Sequence, residues 1–373
     1  MIYLDSAATS LLKPKSVGIA MQNAMKYMAS PGRGSHSAAM RAADKVYECR
    51  ELACRLFGFD EPERVVFTMN ASHALNIAIR SIVSKGSKVV ISGYEHNSVT
   101  RTLHGIGANV TVAKSALFDT QGTIEAFEKA IPNSDAVVCN HVSNVFGFIL
   151  PIYEISELCS KHHVPLIIDA SQSAGIIDLD MNKLNAAFVA MPGHKGLMGP
   201  QGTGILLCNA MPRPLLFGGT GSESKIQDMP DYLPDAVEAG THNVVGIAGL
   251  TEGIKYVLAT GSDNIGHYEA ELCRCMASRL ENIYGLEVFS GQSGTQAGVL
   301  SLRHSTIGAE ELCEKLGRRG IASRCGLHCS PLAHRTAGTI DTGTVRFSFS
   351  PFVSKKQVLT ACNTVESIII SEN

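Results

Sequence analysis

The chain has 373 residues, of which 45% are hydrophobic, and its 32 basic residues nearly balance its 34 acidic ones. This near-neutral balance argues against a nucleic-acid surface, which needs a concentrated basic face. No apolar run approaches the roughly 18–20 residues of a membrane span, and the N-terminus lacks the basic and apolar regions of a secretory signal.

Seven short apolar runs alternate with helical patterns over the first two thirds of the chain. Continuously apolar strands separated by helices predict a mainly parallel sheet that is covered on both faces. The runs are RVVFT (64–68), KVVISG (88–93), NVTVA (109–113), AVVCNHV (136–142), PLIIDA (165–170), AAFVAM (186–191) and GTGILLC (202–208).

The last third of the chain predicts a smaller α+β unit. YEAELCRCMASRLENIYG and GAEELCEKLGRRG have helical patterns, whereas LEVFSG, GTQAGVLSLRH and VRFSFSPF have strand patterns. We therefore expect the α/β class, with a large domain over residues 11–255 that holds a mainly parallel seven-stranded sheet. Residues 1–10 and 256–373 form the small α+β domain of this prediction.

Eleven cysteines are present, with irregular spacing and no C-x-x-C pair. Neither a zinc ribbon nor a thioredoxin motif is therefore supported, and we expect no metal site. In a long chain without a signal, these cysteines indicate reduced thiols in the cytoplasm. Most of them should pack as small buried hydrophobic residues.

The loops that follow the predicted strands contain the candidate site residues, because ligands of open parallel sheets bind at the carboxyl ends of the strands. Asn70, Ala71 and Ser72 open a helix, where free amides and the helix dipole favour an anion. The same three residues also fit a plain helix cap, which Asn and Ser form often.

Later strands end near His96, Asp169 and Lys195. A lone aspartate is often only a cap, but an ionised carboxylate at the end of an apolar strand is costly unless a cation pairs with it. Lys195 lies among five glycines and two prolines in MPGHKGLMGPQGTG, either as a solvated charge or as a nucleophile. An anion site, an aromatic ring, a carboxylate and a lysine together match the needs of pyridoxal 5'-phosphate (PLP).

Nine motifs occur in an order that resembles the class V aminotransferase family, and within it the branch of cysteine desulfurases and selenocysteine lyases. They are LDSAATS, NASHALN, EHNS, HVSNVFG, IDASQSAG, GHKGLMGPQGTG, EAGTHN, RCGLHC and VRFS. The resemblance covers nearly the whole chain, from residue 4 to about residue 351. It implies PLP fold type I and PLP as the cofactor.

The resemblance also implies how the cofactor is held. Lys195 is the Schiff-base lysine, His96 stacks on the ring, and Asp169 pairs with the pyridine nitrogen. The other implied contacts are Ala71, Ser72 and His194 at the phosphate, and Gln172 and Asn144 at the ring hydroxyl.

Substrate contacts and a homodimer are implied in the same way. Arg346 would bind the substrate carboxylate in the bidentate geometry that guanidinium suits, with Arg324 and Asn144 nearby. Thr241 would reach the phosphate of the neighbouring subunit's cofactor. Cys329 matches the catalytic cysteine of the family, where nearby cations would favour the thiolate; the alternative is one more reduced cysteine.

Three features depart from the family or stay open. Pro192 stands where many members have a serine that donates to the phosphate, and proline has neither an amide hydrogen nor a hydroxyl. Cys325 either resolves a persulfide on Cys329 or is inert. His36 lies either near the entrance of the site or on an exposed loop.

These inferences predict a PLP-dependent cysteine desulfurase that releases alanine and transfers sulfur through a persulfide on Cys329, with a sulfur-acceptor protein as a candidate partner. The alternatives are a selenocysteine lyase, a cystine or cysteine β-lyase, or another class V reaction. Nucleotide binding by GPQGTG is disfavoured, because this loop lies between two strands rather than before a helix. The joint presence of Lys195, Asp169, His96 and Arg346 argues against a non-catalytic scaffold.

Overall fold

The structure is a computed structural model that describes residues 1–32 and 34–371. Its helices are α1 (Lys15–Tyr27), α2 (Ser37–Phe57), α3 (Ala71–Ile82), α4 (Asn97–Ile106), α5 (Thr120–Ala130), α6 (Ile152–Lys161), α7 (Val244–Thr260), α8 (Ser262–Leu280), α9 (Ala309–Arg318), α10 (Pro331–Thr336) and α11 (Lys355–Ile370). Its strands are β1 (Ile2–Tyr3), β2 (Val65–Thr68), β3 (Lys88–Ser92), β4 (Asn109–Ala113), β5 (Ala136–Asn140), β6 (Leu166–Asp169), β7 (Phe188–Pro192), β8 (Gly204–Cys208), β9 (Leu286–Phe289), β10 (Val299–His304), β11 (Ile321–Ala322), β12 (Arg324–Gly326) and β13 (Thr344–Ser348).

The large sheet has seven strands in the order β2-β8-β7-β6-β5-β3-β4. Strand β8 is antiparallel to both of its neighbours, and the other strand pairs are parallel. The seven apolar runs of the sequence form these seven strands, so the predicted α/β class with a mainly parallel sheet is confirmed.

Two apolar clusters cover the two faces of this sheet. Alternate residues of one strand enter different clusters: Leu166 and Ile168 pack on one face, and Ile167 packs on the other. Strands β5, β7 and β8 are buried at every position, which explains why their sequences are continuously apolar rather than alternating. Polar side chains on these strands are therefore confined to the strand ends.

A second, antiparallel sheet has the order β12-β13-β10-β9, and it packs with α8, α9 and α11 around its own core. Strand β1 pairs with β11 in parallel, and Asp5 forms an isolated bridge with Ser348 of β13. The first residues of the chain thus lie beside the C-terminal sheet. The division of the chain at residue 255 stays a prediction.

Strands β1, β11 and β12 have only two or three residues each and were not predicted. A run this short shows no alternation that distinguishes a strand from a loop. Within the described ranges, no helix combines the length and the apolar character needed to cross a membrane.

Candidate active site

A cavity opens at the carboxyl ends of the large sheet's strands, beside the small sheet. Every predicted site residue except Thr241 lines the cavity: Ala71, Ser72, His96, Asn144, Asp169, Gln172, His194, Lys195, Arg324, Cys329 and Arg346.

Two helices begin at one end of this cavity. Helix α3 starts after Asn70, whose side chain accepts a hydrogen bond from the His73 amide at 2.9 Å. Helix α4 starts close by, and the Ser72 and Ser98 hydroxyl oxygens are 2.6 Å apart. Asn70 thus caps the helix while Ser72 lines the cavity, so this segment can be both a helix cap and an anion site. Two positive helix ends favour an anion here.

His96 follows β3 and acts as the N-cap of α4. Its Nδ1 atom accepts a hydrogen bond from the Ser98 amide at 3.0 Å and lies 2.9 Å from the Ser98 hydroxyl oxygen. Burial lowers the pKa of His96. Ser98 lines the same cavity but was not predicted as a site residue, although it belongs to the EHNS motif.

Two acidic side chains lie at this end of the sheet, and their environments differ: Asp169 lines the cavity, whereas Glu95 does not. Asp169 ends β6, and its Oδ1 accepts the Ser171 amide at 2.9 Å. Glu95 is fully buried; its Oε1 accepts hydrogen bonds from the Ser92 hydroxyl at 2.5 Å and the Asn140 amide at 2.9 Å. Burial raises the pKa of Glu95 to about 8, so this side chain is mostly neutral at pH 7. Asp169, the acid that lines the cavity, is therefore positioned to pair with a cation.

Lys195 follows β7, the parallel neighbour of β6, and lines the same cavity as Asp169. Burial lowers the pKa of its amine to about 8; Asp169 opposes this shift, and Arg346 adds to it. An ordinary lysine holds its proton until about pH 10. The amine form of Lys195 is thus accessible near neutral pH, as a nucleophile or a base requires.

His194 is neutral at pH 7. Burial, followed by the charges of Lys195 and Lys13, lowers its pKa to about 4. Its Nδ1 lies 3.0 Å from the Thr9 hydroxyl oxygen. At an anion, His194 can therefore serve as a hydrogen-bond partner but not as a cation.

Arg346 is almost completely buried, with 2% of its surface exposed. Its Nη2 donates to Asp5 Oδ1 at 2.7 Å, and its Nη1 donates to the Asn144 carbonyl at 2.9 Å. Among the described residues its Nε has no hydrogen-bond partner. A buried guanidinium with a donor to spare is suited to a carboxylate ligand.

Cys329 lies on a short turn between β12 and α10, and it is exposed. His328 and Cys329 both have positive φ angles, 49° and 58°, which non-glycine residues seldom adopt. Asn144 Nδ2 donates to the His328 carbonyl at 2.8 Å, and the Asn97 amide donates to the Cys329 carbonyl at 2.8 Å. The Ser330 hydroxyl donates to Asn144 Oδ1 at 2.6 Å. The Asn144 amide thus holds the cysteine turn in place.

The family model described as Aminotransferase class-V matches residues 2–360. The chain belongs to this family. A Pyrococcus abyssi protein named a probable cysteine desulfurase is 31% identical, over 100% of this chain and 95% of its own length. One from Methanothermobacter thermautotrophicus, with the same name, is 30% identical over 98% and 94%. The apo structure of a cysteine desulfurase from Thermococcus onnurineus NA1 has a TM-score of 0.90 at 30% identity, and the match covers 99% and 95% of the two chains.

Three other positions that the family resemblance singled out have different surroundings. Pro192 lines the same cavity as Ser171, whose hydroxyl can donate a hydrogen bond where proline cannot. His328 has a pKa near 2, chiefly because it is buried. His36 is exposed and caps α2 through its Nδ1.

Cys325 faces away from Cys329. Successive side chains of a strand point to opposite faces; Arg324 lines the cavity, whereas Cys325 packs against the small-sheet core beside Cys313. Burial, followed by the Cys313 thiol, raises the pKa of Cys325 to about 11. Its position does not favour the role of resolving a persulfide on Cys329.

Thr241 lies in a different cavity, which also includes Glu238 and His242. The Glu238 carboxylate accepts hydrogen bonds from Arg50 Nη2 at 2.7 Å and from the Phe67 amide of β2 at 2.6 Å. Its Oε2 also lies 2.5 Å from His242 Nε2. One buried carboxylate thus connects the Thr241 segment to the strand that precedes Ser72.

The residues of the first cavity fit PLP. The two helix starts and the Ser72 hydroxyl suit a phosphate ester, and the buried Asp169 suits a protonated ring nitrogen. Lys195 has the lowered pKa that bond formation with an aldehyde requires. Arg346 and Cys329 line the same cavity and are not needed for these contacts, so they are available to an amino-acid substrate.

Proposed function

We propose that the chain is a PLP-dependent cysteine desulfurase, which removes sulfur from cysteine, carries it as a persulfide on Cys329 and leaves alanine. One observation carries this proposal: a single cavity brings an exposed thiol together with a lysine of lowered pKa, a buried aspartate and a buried arginine. The names of the Pyrococcus abyssi and Thermococcus onnurineus proteins support it.

When bound, PLP supplies an electron sink for the substrate's Cα. The chain would supply the binding groups: the starts of α3 and α4 would receive the phosphate, Asp169 would stabilise the positive ring nitrogen, and His96 would contact the ring. With His194 neutral, amides and hydroxyls provide most of the phosphate contacts.

The substrate's own atoms meet three side chains. Arg346 binds the carboxylate, and the Lys195 amine takes the Cα proton. Cys329 Sγ, as the thiolate, attacks the substrate sulfur. A new S–S bond forms on Cys329 while the substrate C–S bond breaks, and its electron pair stays on the carbon, which takes a proton to give alanine.

The test is to incubate the PLP-loaded protein with cysteine and a thiol reductant and to quantify alanine and sulfide. We expect both in equal amounts, and we expect neither from Lys195→Ala. Cys329→Ala should lose turnover on cysteine, whereas Cys275→Ala, on α8, serves as the matched control and should retain it. Pyruvate and ammonia in place of alanine would indicate a β-lyase, and turnover of selenocysteine by Cys329→Ala would indicate a selenocysteine lyase.

We further propose a homodimer in which Thr241 contacts the cofactor phosphate of the partner subunit. This is supported by the position of Thr241 outside the cavity that contains Lys195 of the same subunit. Mixed dimers of Lys195→Ala and Thr241→Ala subunits test the arrangement, because one of their two sites is then intact. If the activity rises when the two variants are mixed, the sites are shared between subunits. If it stays at the sum of the two separate variants, they are not.

We also propose that the protein works in the reducing environment of the cytoplasm, which its free cysteines support. A sulfur-acceptor protein is the proposed partner.

A further inference from the structure

Three polar atoms form a continuous chain from the anion end of the cavity to the imidazole of His96. Ser72 Oγ lies 2.6 Å from Ser98 Oγ, and Ser98 Oγ lies 2.9 Å from His96 Nδ1. The Ser98 amide also donates to Nδ1 at 3.0 Å. Ser98 therefore contacts His96 through both its main chain and its side chain.

These contacts determine which nitrogen of His96 carries a proton. An amide N–H can only donate, so Nδ1 must be the acceptor, and the ring proton of a neutral imidazole must be on Nε2. An imidazolium would place a second hydrogen on Nδ1, facing the Ser98 amide hydrogen. The geometry thus favours the neutral ring with an Nε2–H group.

The hydroxyl protons fit the same assignment. Ser98 donates to His96 Nδ1, and Ser72 donates either to Ser98 or to an anion that occupies the helix ends. In both states, Nδ1 keeps the Ser98 hydroxyl proton, so binding of the anion does not require the imidazole to change its tautomer.

We propose that Ser98 is a positioning residue that holds His96 as a neutral imidazole with its proton on Nε2, and that links this ring to the phosphate site at Ser72. In the proposed enzyme, His96 then lies on the cofactor as an uncharged ring that offers an N–H donor to the substrate side. The inference rests on the proposed function only for this last step.

The charged groups around His96 shift its pKa in opposite directions. Burial lowers its pKa most, Asp169 raises it, and Lys195, Arg101 and Arg324 lower it. Removing the Ser98 hydroxyl leaves all four charges in place. A change in the proton affinity of His96 in a Ser98 variant therefore reports the hydrogen bond itself.

The experiment follows the histidine nitrogens by NMR in protein labelled with ¹⁵N-histidine and free of cofactor, with His96 assigned through His96→Gln. In the wild type we expect an unprotonated Nδ1 and a protonated Nε2 at pH 7.5. Ser98→Ala should raise the proton affinity of His96 about three- to tenfold, the size of one hydrogen bond. Ser98→Thr, which keeps a hydroxyl, should restore the wild-type titration, and Ser72→Ala should change it less than Ser98→Ala.

A kinetic measurement on the PLP-loaded enzyme complements the NMR. We expect the acid limb of kcat in Ser98→Ala to move to higher pH, while KM for cysteine stays within about twofold. The proposal is overturned if wild-type His96 is an imidazolium or carries its proton on Nδ1 at pH 7.5, or if Ser98→Ala titrates as the wild type does. The tautomer of His96 in the wild type tests the proposal even if Ser98→Ala does not fold. Because the NMR needs no turnover, its outcome is independent of whether the desulfurase proposal holds.

Discussion

The Asp5 carboxylate lies 2.7 Å from Nη2 of Arg346, and 341 positions separate the two residues in the chain. Asp5 follows β1, which pairs with β11 of the small unit, and Arg346 lies in β13 with 2% of its surface exposed. The N-terminal segment thus supplies the counter-charge for the proposed substrate-binding arginine.

Asp5→Ala should weaken both the fold and substrate binding. The loss leaves a buried guanidinium without its carboxylate, so we expect destabilisation of about 1–3 kcal/mol, less than for a fully buried pair because Asp5 is partly exposed. KM for cysteine should rise about tenfold, because Arg346 loses its fixed orientation. Denaturant unfolding and steady-state kinetics provide the measurements. Asp5→Asn keeps a hydrogen-bond acceptor, so its stability and its KM should lie between those of the wild type and Asp5→Ala. Asp44→Ala, on the exposed face of α2, is the control.

Asn144→Ala should impair the cysteine turn more than cofactor binding. It removes the hydrogen bonds to the His328 carbonyl and from the Ser330 hydroxyl, so Cys329 loses its fixed distance from the substrate. We expect a fall in kcat of about 10- to 100-fold, with alkylation of Cys329 by a small reagent as fast as in the wild type or faster. Normal turnover in this variant would show that the turn is held by other contacts.

Bond formation between Lys195 and the PLP aldehyde should depend on pH. The amine is the nucleophile, and its pKa is lowered from 10.5 to about 8 by burial, so the rate should rise from pH 6.5 and reach half of its maximum near pH 8. Stopped-flow absorbance after mixing apoprotein with PLP measures this rate. Lys195→Arg, followed by borohydride and peptide mapping, should show no adduct. A half-maximum near 10.5 would mean that the lysine is solvated.

Glu95 should make the apoprotein less stable as the pH rises. Burial raises its pKa from 4.5 to about 8, so between these values the folded state keeps a proton that the unfolded state has lost. The stabilisation of the protonated form is complete below pH 4.5 and is lost as the pH rises towards 8, by an amount on the order of a few kcal/mol. Unfolding of wild type and Glu95→Gln at pH 5 and pH 8 tests this: the difference between the two proteins should shift in favour of the variant at pH 8. An unchanged difference would contradict the expectation.

The buried pair of Arg50 and Glu238 should matter far more than an exposed pair of the same kind. Both side chains are at most 6% exposed, so Glu238→Ala leaves an unpaired buried charge and should cost about 3–5 kcal/mol. Glu61→Ala removes a carboxylate from the exposed pair with Arg64 and should cost less than about 1 kcal/mol. Equal losses in denaturant unfolding would contradict this difference.

The large sheet could be predicted from the sequence because its central strands β5, β6, β7 and β8 are buried on both faces and are therefore continuously apolar. Strands β1, β11 and β12 could not, since each is held by pairing with a distant partner rather than by its own pattern. The small antiparallel sheet was predicted only in part for this reason, because β12 forms by pairing with β13.

The candidate site shows the same limit. The sequence predicted that Lys195, Asp169 and His96 lie together, because each is at or just after the end of an apolar strand and these strand ends share one edge of the sheet. Two partners that fix site side chains were missed: Asp5, which pairs with Arg346, and Ser98, which contacts His96. Their importance comes from hydrogen bonds that no spacing rule encodes, even though both residues lie within quoted motifs.

The distribution of thiols has a consequence for where sulfur can go. Seven of the eleven cysteines are buried, and burial raises the pKa of thiols such as Cys49, Cys159 and Cys273 to about 12. Sulfane sulfur moves to a thiolate and not to a thiol. In the proposed desulfurase, the buried thiols would therefore not compete for the sulfur on Cys329, and the protein would not trap its own product.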